Sequence, residues 1–327
     1  VSRINALKQI DSRDGITKYF YKKALTEQYA LSLKGGSNNI AWLASGTYDR
    51  SRNSLDGKYN KLNLRVENTY RPIKNISLTT GVYYTNSHST SGALPFGSVQ
   101  INGRSVPYLS FVNDNGTPVS IANYYRDAYT DTAANGRLLD WKYYPLTDYK
   151  HNKSTTRVEE IVANIGLDYS LLNSLHLNVL YQYQRQQSNS ETNSDIESFY
   201  TRNLINLFSQ IDPSTGNVNH IVPVGGILNL SNGYVNSQNL RAQLDFNRRF
   251  GNHYLSAIAG GEIREAERKG NSQTLYGYHE DPLSYGAVDF INPYPTYITG
   301  EPRTISQGTF LSHGISRFVS VYSNFLY

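Results

Sequence analysis

Residues 61–70 alternate almost completely between apolar and polar side chains. One parity carries the apolar residues Leu62, Leu64, Val66 and Tyr70, with Asn68 as its single polar member. The other parity is entirely polar and consists of Lys61, Asn63, Arg65, Glu67 and Thr69. Because successive side chains of a strand point to opposite faces, this segment predicts a β-strand with one apolar face and one polar face.

The same alternation recurs along the chain and predicts nine strands. They cover residues 27–34, 40–48, 61–70, 76–86, 161–169, 175–186, 239–250, 254–267 and 317–327. About ten residues suffice for a tilted strand to cross a bilayer, and short turns near residues 36, 73, 172 and 251 alternate with long, Tyr-rich loops. The pattern predicts an all-β fold, an antiparallel meander that forms part of a transmembrane β-barrel with long extracellular loops. Helix is expected to be negligible, apart from a short segment around residues 19–25.

Composition excludes several other classes of protein. The mean hydropathy is −0.51 and no run of eighteen apolar residues exists, so no spanning helix is predicted. Cys is absent, which excludes disulfides and thiolate metal sites. The net charge of +5 is spread along the chain and indicates no nucleic-acid partner. Met is absent even at position 1 and no apolar leader opens the chain, so we expect an internal piece of a longer protein.

Three segments resemble the SusC/RagA family, the TonB-dependent transporters in the outer membranes of Bacteroidetes. Residues 27–37 (EQYALSLKGGS) are similar to an early barrel strand of that family that ends in a Gly-Gly turn. Residues 199–208 (FYTRNLINLF), followed by residues 221–228 (IVPVGGIL), resemble an extracellular loop. Arg317-Phe-Val-Ser320, with Asn324 and Tyr327, resembles a later strand. The likeness covers residues 19–327 and keeps the family's order.

The resemblance implies a barrel of about twenty-two strands, of which this chain would supply about nine. Residues 1–26 would be an irregular segment or extracellular loop after a plug that is missing here, and residues 27–327 a partial barrel. The implied function is import of oligosaccharides or peptides across a Gram-negative outer membrane. The implied partners are a SusD-like surface lipoprotein, outer-membrane lipid, and the TonB complex acting through the plug, which is absent from this chain together with the TonB box.

No catalytic residue, metal site or cofactor is predicted, because no nucleophile elbow, His-Glu-x-x-His helix or phosphate loop is present. Aromatic residues of the long loops are the candidates for substrate binding: Tyr124, Tyr125, Trp141, Tyr143, Tyr144, Tyr276 and Tyr278. The alternative for each of them is packing of one loop against another. Polar wall residues are predicted to face the barrel lumen: Arg65, Glu67, Asn164, Asp168, Gln182, Arg241 and Asp245.

Two other functions remain open at this stage. A passive porin shares the barrel pattern but lacks a plug and energy coupling. A soluble, β-rich carbohydrate-binding module would require strands of about five or six residues and tighter loops. All three readings depend on whether the apolar stripe faces lipid or a second layer of protein.

Overall fold

Nine long strands form one antiparallel sheet in the computed structural model, which describes residues 7–8, 10–95 and 97–327. The long strands are β1 Leu25–Gly36, β2 Ile40–Arg52, β3 Lys58–Ile73, β4 Ile76–Thr90, β5 Asn152–Leu172, β6 Leu175–Ser194, β9 Gly226–Phe250, β10 His253–His279 and β14 Phe310–Leu326. Each pairs with its neighbour in this order, and the short strand β11 Ser284–Gly286 adds to β10. The predicted fold class is therefore confirmed, and every predicted strand is present.

The strands extend well beyond the ten residues that alternation predicts. The segment predicted at residues 254–267 belongs to β10, which continues to His279. Backbone hydrogen bonds join β9 to β10 from His253 to Tyr278, although the side chains above residue 264 are mostly polar on both faces. The parts of the hairpins nearest the long loops thus carry no apolar stripe, so the alternation of apolar and polar residues could not predict them.

Helix is limited, but it is not where the sequence suggested. Residues 20–25 are not helical; the helix is α1, Ser12–Tyr19, and it begins after Asp11, whose carboxylate accepts a hydrogen bond from the Arg13 N–H at 2.8 Å. Residues 1–6 and 9 of the predicted irregular segment lie outside the described residues. Three further helices lie in the long loops: α2 Asp127–Thr130, α3 Pro145–Asp148 and α4 Phe199–Leu207.

Short turns and long loops lie at opposite ends of the sheet. The tight turns follow β1, β3, β5 and β9, and the last of these uses Gly251 at a φ of +61°. The long loops follow β4, β6 and β10, and they contain a 3₁₀ turn at Ala133–Gly136 and two small two-stranded sheets. These sheets pair β7 Ser209–Ile211 with β8 Val218–His220, and β12 Tyr294–Pro295 with β13 Pro302–Arg303.

The buried apolar side chains lie mainly in the loops rather than on the sheet. One cluster includes Phe20, Phe111, Trp141 and Phe199, and a second includes Ile205 and the loop end of β10. On the sheet, Leu64 and Ile165 are 45% and 55% exposed. No second layer covers them, because the other sheets of the described residues are two short pairs. A carbohydrate-binding sandwich would need a second sheet against this face, so the arrangement differs from one.

No helix among residues 7–8, 10–95 and 97–327 is long and apolar enough to cross a membrane.

Candidate functional site

The strand register brings the apolar parities of all nine strands to one face of the sheet. A row of directly paired residues crosses the whole sheet and shares one face: Trp42, Asn68, Thr80, Ile165, Tyr181, Leu240, Ile263 and Val319. Paired residues of neighbouring strands point the same way, so apolarity predicted strand by strand becomes one continuous surface. We call this surface the apolar band.

The apolar band has a sharp margin on the side of the long loops. Its last residues on β2 to β14 are Tyr48, Leu62, Tyr84, Ile161, Tyr183, Leu240, Ile263 and Val319. The next residues on the same face are all polar: Arg50, Asn60, Asn86, Glu159, Arg185, Gln238, Glu265 and Arg317. At the turn end, the band closes with Ile40, Tyr70, Ile76, Tyr169, Leu175, Phe246, Leu255 and Tyr327. On the edge strand β14 the loop-side margin is less sharp, because Ile315 and Leu311 follow Arg317 on the same face.

The two margins move together across the sheet. The row that contains Leu62 on β3 reaches Lys269 on β10, whereas the margin on β10 lies at Ile263. The margin therefore moves about six residues, or about 20 Å, over the five inter-strand steps from β3 to β10. It moves by the same amount over the seven steps from β2 to β14, and each step is about 4.8 Å. This displacement corresponds to a strand tilt of roughly 30–40°, close to the tilt of transmembrane barrel strands. A band of constant height, crossed by tilted strands, is what a flat hydrocarbon layer requires.

Aromatic residues mark both margins of the apolar band. Tyr29, Tyr48, Tyr84 and Tyr183 lie at the loop-side margin. Trp42, Tyr70, Tyr169, Phe246, Phe325 and Tyr327 lie at or near the turn-side margin. Rings with a polar edge favour the boundary between hydrocarbon and headgroups, so two aromatic girdles are typical of a barrel wall. The height between them is roughly 20–25 Å.

All seven residues predicted to face the lumen share the opposite, polar face. The register pairs Glu67 with Gly81, Gly81 with Asn164 and Asn164 with Gln182. Hydrogen bonds connect the side chains of this face: the Tyr83 hydroxyl donates to Glu67, and Arg65 donates to Glu67 at 2.7 Å. That this face borders a lumen remains a proposal.

A second polar network lies on the same face of the next strands. Arg241 Nε donates to the Tyr322 hydroxyl at 2.9 Å, which in turn contacts Gln243 at 2.8 Å. The Gln243 amide then donates to Asp245 at 2.8 Å. Asn178 similarly donates to Asp168. These networks satisfy polar groups without any apolar packing, as expected for a face that stays wet.

The long loops assemble a cluster of aromatic rings above the sheet. Tyr125 contacts Tyr124, Tyr129 and Trp141 at ring-centroid distances of 6.3, 6.2 and 5.2 Å. Phe199 contacts Tyr124 at 6.1 Å and Tyr143 at 5.2 Å, and Trp141 contacts Tyr297 at 5.9 Å. The rings come from three different loops. We call this group the aromatic cluster.

The aromatic cluster contains four of the seven predicted binding residues, in different positions. Tyr124 is exposed and Tyr125 is half-buried, whereas Trp141 and Tyr143 are buried within the cluster. Tyr144 is half-buried next to it. Tyr276 lies apart and is buried against Phe290, with its hydroxyl donating to the Ser306 carbonyl at 2.6 Å; Tyr278 is half-buried nearby. Of the predicted residues in the cluster, Tyr124 and Tyr125 thus present ring surface to a ligand, and their role in binding remains a proposal.

Helix α4 holds the aromatic cluster in place. Arg202 donates to the Asp140 carboxylate at 2.9 Å and to the Asp140 carbonyl at 2.6 Å, and Asn203 accepts from the Trp141 indole N–H at 2.9 Å. Asp148 accepts from the Phe199 N–H at 2.6 Å. These contacts join segments about sixty residues apart, which sequence patterns could not reveal.

Burial dominates the electrostatics of the aromatic cluster. It raises the pKa of the Tyr143 phenol well above its ordinary value, and the nearby Asp148 carboxylate adds to this effect. Burial also raises the pKa of Tyr125 and Tyr129. The phenols therefore remain neutral hydrogen-bond donors at any physiological pH. Among residues 7–8, 10–95 and 97–327, no group of three His, Asp or Glu side chains could hold a metal ion.

A cavity of about 570 Å³ opens on the exposed side of the aromatic cluster. Tyr124, Tyr125 and Tyr129 line it together with Arg126 and two Ile side chains. Sequence reasoning missed Arg126 and Tyr129. Their position directly after Tyr124-Tyr125 was the available signal, since consecutive aromatic and cationic residues in one loop often share a surface.

No family model matches the sequence, and no curated protein matches it significantly. The fold is similar to chains of solved structures. The RagAB peptide importer in the closed-closed state aligns with a TM-score of 0.65 at 14% identity, over 95% of this chain and 31% of that chain. A structure of the RagAB peptide transporter aligns with a TM-score of 0.64 at 14% identity over the same shares. The open-open state aligns with a TM-score of 0.64 at 13% identity, over 95% of this chain and 30% of that chain.

The chain has the fold of part of the RagAB transporter chains. This confirms, at the level of the fold, the resemblance to the SusC/RagA family that the three sequence segments indicated. The chain spans less than a third of the length of the chains that it matches.

Proposed function

We propose that this chain supplies part of the barrel wall and extracellular loops of a TonB-dependent outer-membrane importer, and that it has no enzymatic role. The observation that carries the proposal is the apolar band, which keeps its height while the strands tilt. Folding in water does not require the two margins of an apolar face to stay parallel across eight strands. The likeness of the fold to chains of a peptide transporter and importer supports the same conclusion.

On this proposal, the residues divide into three roles. The apolar band contacts lipid, and the polar face carrying Arg65, Glu67, Asn164, Asp168, Gln182, Arg241 and Asp245 lines the lumen. The aromatic cluster contributes to the capture of an incoming peptide or oligosaccharide. A SusD-like surface lipoprotein would act with the loops, and a plug would transmit energy from TonB.

Single-cysteine labelling, in a full-length protein from which any other Cys has been removed, tests the membrane contact; this chain contributes no Cys of its own. Matched neighbours on opposite faces provide the comparison: Leu64→Cys with Arg65→Cys, and Ile165→Cys with Asn164→Cys. In outer membranes that contain the full-length protein, we expect Leu64→Cys and Ile165→Cys to react only with a lipid-soluble maleimide. Arg65→Cys and Asn164→Cys should react with a water-soluble one. Equal labelling of both faces by the water-soluble reagent would refute the proposal.

Energy coupling separates an importer from a passive porin. Uptake of a fluorescent peptide by cells that produce the full-length protein should fall to background when TonB is depleted. A porin would continue to admit the peptide under the same depletion. Unchanged uptake would therefore favour a passive porin over an importer, without affecting the conclusion from the labelling.

A further inference from the structure

The cavity beside the aromatic cluster combines apolar walls with a single positive charge. Ile101 and Ile298 supply aliphatic surface, and Tyr124, Tyr125 and Tyr129 supply rings. Arg126 is the only charged residue that lines the cavity among those that the structure describes. Its volume of about 570 Å³ falls within the range of small-ligand sites, about 300–1,000 Å³.

Arg126 is free to bind a ligand, whereas Lys142 and Arg202 of the surrounding loops are held in ion pairs. Lys142 is paired with Asp131 at 2.9 Å and Arg202 with Asp140 at 2.9 Å. Arg126 is exposed and forms no ion pair within the described part of the chain. A guanidinium prefers the planar, two-oxygen geometry of a carboxylate, which it can bind through two parallel hydrogen bonds. The charge of the cavity therefore favours a ligand with a carboxylate.

The walls of the cavity favour a peptide over a sugar. The rings of Tyr124 and Tyr125 meet at 58° and those of Tyr125 and Tyr129 at 52°, so they form a concave surface and not a flat platform for a sugar ring. No carboxylate in the described part of the chain lines the cavity to accept hydrogen bonds from sugar hydroxyls. With the Asn102 amide turned so that it satisfies both neighbours, its nitrogen donates to the carbonyls of Asn123 and Tyr124 at 3.2 and 3.1 Å and is not available to a ligand.

We propose that this cavity binds a peptide by taking an apolar side chain between the tyrosines and pairing the peptide's carboxylate with Arg126. The inference rests on the proposed importer and specifies its substrate class at one site. The carboxylate is at the C-terminus of the peptide or on the side chain next to the apolar residue. Neutral oligosaccharides lack the group that Arg126 would recognise.

Fluorescence anisotropy with the purified full-length protein tests the site. The probes are two short peptides that end in Phe, one with a free C-terminal carboxylate and one amidated. We expect the free acid to bind about tenfold more tightly than the amide, in keeping with a charge-assisted hydrogen-bond pair. Arg126→Gln should remove this difference, so that the two changes together cost no more than either alone. Tyr129→Ala should weaken both peptides.

Lys150→Gln is the matched control, because it removes one exposed positive charge from the same loop away from the cavity. It should leave both affinities unchanged. Equal binding of acid and amide, or an equal loss in Lys150→Gln, would overturn the inference, as would tighter binding of a neutral oligosaccharide that Tyr129→Ala abolishes. These results leave the cysteine labelling of the band unaffected, so the inference can fail while the proposed importer stands.

Discussion

The side-chain amide of Asn206 forms two hydrogen bonds with the backbone of Leu139. Its Oδ1 accepts from the Leu139 N–H at 3.0 Å, and its Nδ2 donates to the Leu139 carbonyl at 2.9 Å. Asn206 has no solvent exposure and belongs to α4, whereas Leu139 lies in the loop between β4 and β5. The amide thus pairs with the Leu139 backbone as a neighbouring strand would, and it joins two of the long loops.

Replacing Asn206 with Leu should loosen both loops without affecting the sheet. The substitution keeps the size of the side chain but leaves a buried N–H and carbonyl of Leu139 without partners, at a cost of about 2–4 kcal/mol. Hydrogen exchange should accelerate across residues 137–143 and 199–207 and stay slow in β9 and β10. Tyr200→Ala, on the exposed side of the same helix, should change neither region. Acceleration throughout β9 and β10 would show that the loops and sheet unfold together.

Trp141 is predicted to affect ligand capture indirectly. Its ring is buried, supports Tyr125 at 5.2 Å, and donates its indole N–H to Asn203 at 2.9 Å. Trp141→Ala would leave a large cavity, with a cost of about 3–5 kcal/mol, and would let Tyr125 collapse inward. We expect weaker peptide capture together with faster hydrogen exchange in the same loop.

Trp141→Phe tests whether Trp141 supports Tyr125 or contacts the ligand directly. Phe keeps a ring beneath Tyr125 and loses only the hydrogen bond to Asn203, so capture should remain near that of the wild type. If Trp141→Phe lost as much affinity as Trp141→Ala while its loop exchanged normally, Trp141 would contact the ligand itself.

The faces of the strands could be predicted from sequence because a period of two is a local property. Leu64 and Arg65 fall on opposite faces whatever their partners are, and the register then extends those faces across the sheet. Strand ends could not be predicted in the same way. From residue 264 towards the long loops, β10 carries polar residues on both faces, and its backbone pairing with β9 and β14 holds it in the sheet.

The aromatic cluster shows where sequence reasoning ends. Composition indicated that Tyr124, Tyr125 and Trp141 matter, but it could not separate the buried ring from the exposed ones. That distinction depends on Asn203 and Phe199, which belong to the loop between β6 and β9. The position of Arg126 next to Tyr124-Tyr125 was visible in the sequence, but only the structure shows that it lines the cavity and forms no ion pair among the described residues.

Asp148 should make the loops sensitive to pH. Burial raises its pKa above the ordinary value of 3.8, and the hydrogen bond from the Phe199 N–H and the nearby Arg202 only partly offset this. The folded loops therefore bind a proton more tightly than the unfolded ones. Stability is greatest below the unfolded pKa and is lost as the pH rises through the raised folded pKa.

Asp148→Asn should remove this dependence, because the amide oxygen can still accept from Phe199 without carrying a charge. We expect its loops to be at least as stable as the wild type at pH 7. The measurement is hydrogen exchange at residues 199–207 between pH 4 and pH 7, corrected for the intrinsic exchange rate. Asp148→Ala loses the acceptor and should exchange faster at every pH. Identical pH profiles for the wild type and Asp148→Asn would contradict the assignment.

Ile165 lies midway between the two margins of the apolar band on β5, so a charge there tests whether the strand lies in lipid. Its row-mates Thr80 and Tyr181 cannot neutralise an ammonium group. Ile165→Lys should destabilise the inserted protein by about 2–4 kcal/mol, the cost of a cation at the bilayer midplane, and Glu159→Lys, beyond the margin on the same face of β5, should cost about 0–1 kcal/mol. Asn164→Lys, one position away on the polar face, provides the second control. Urea titration of the full-length protein in lipid vesicles measures all three, and equal destabilisation at positions 164 and 165 would mean that the two faces of β5 share one environment.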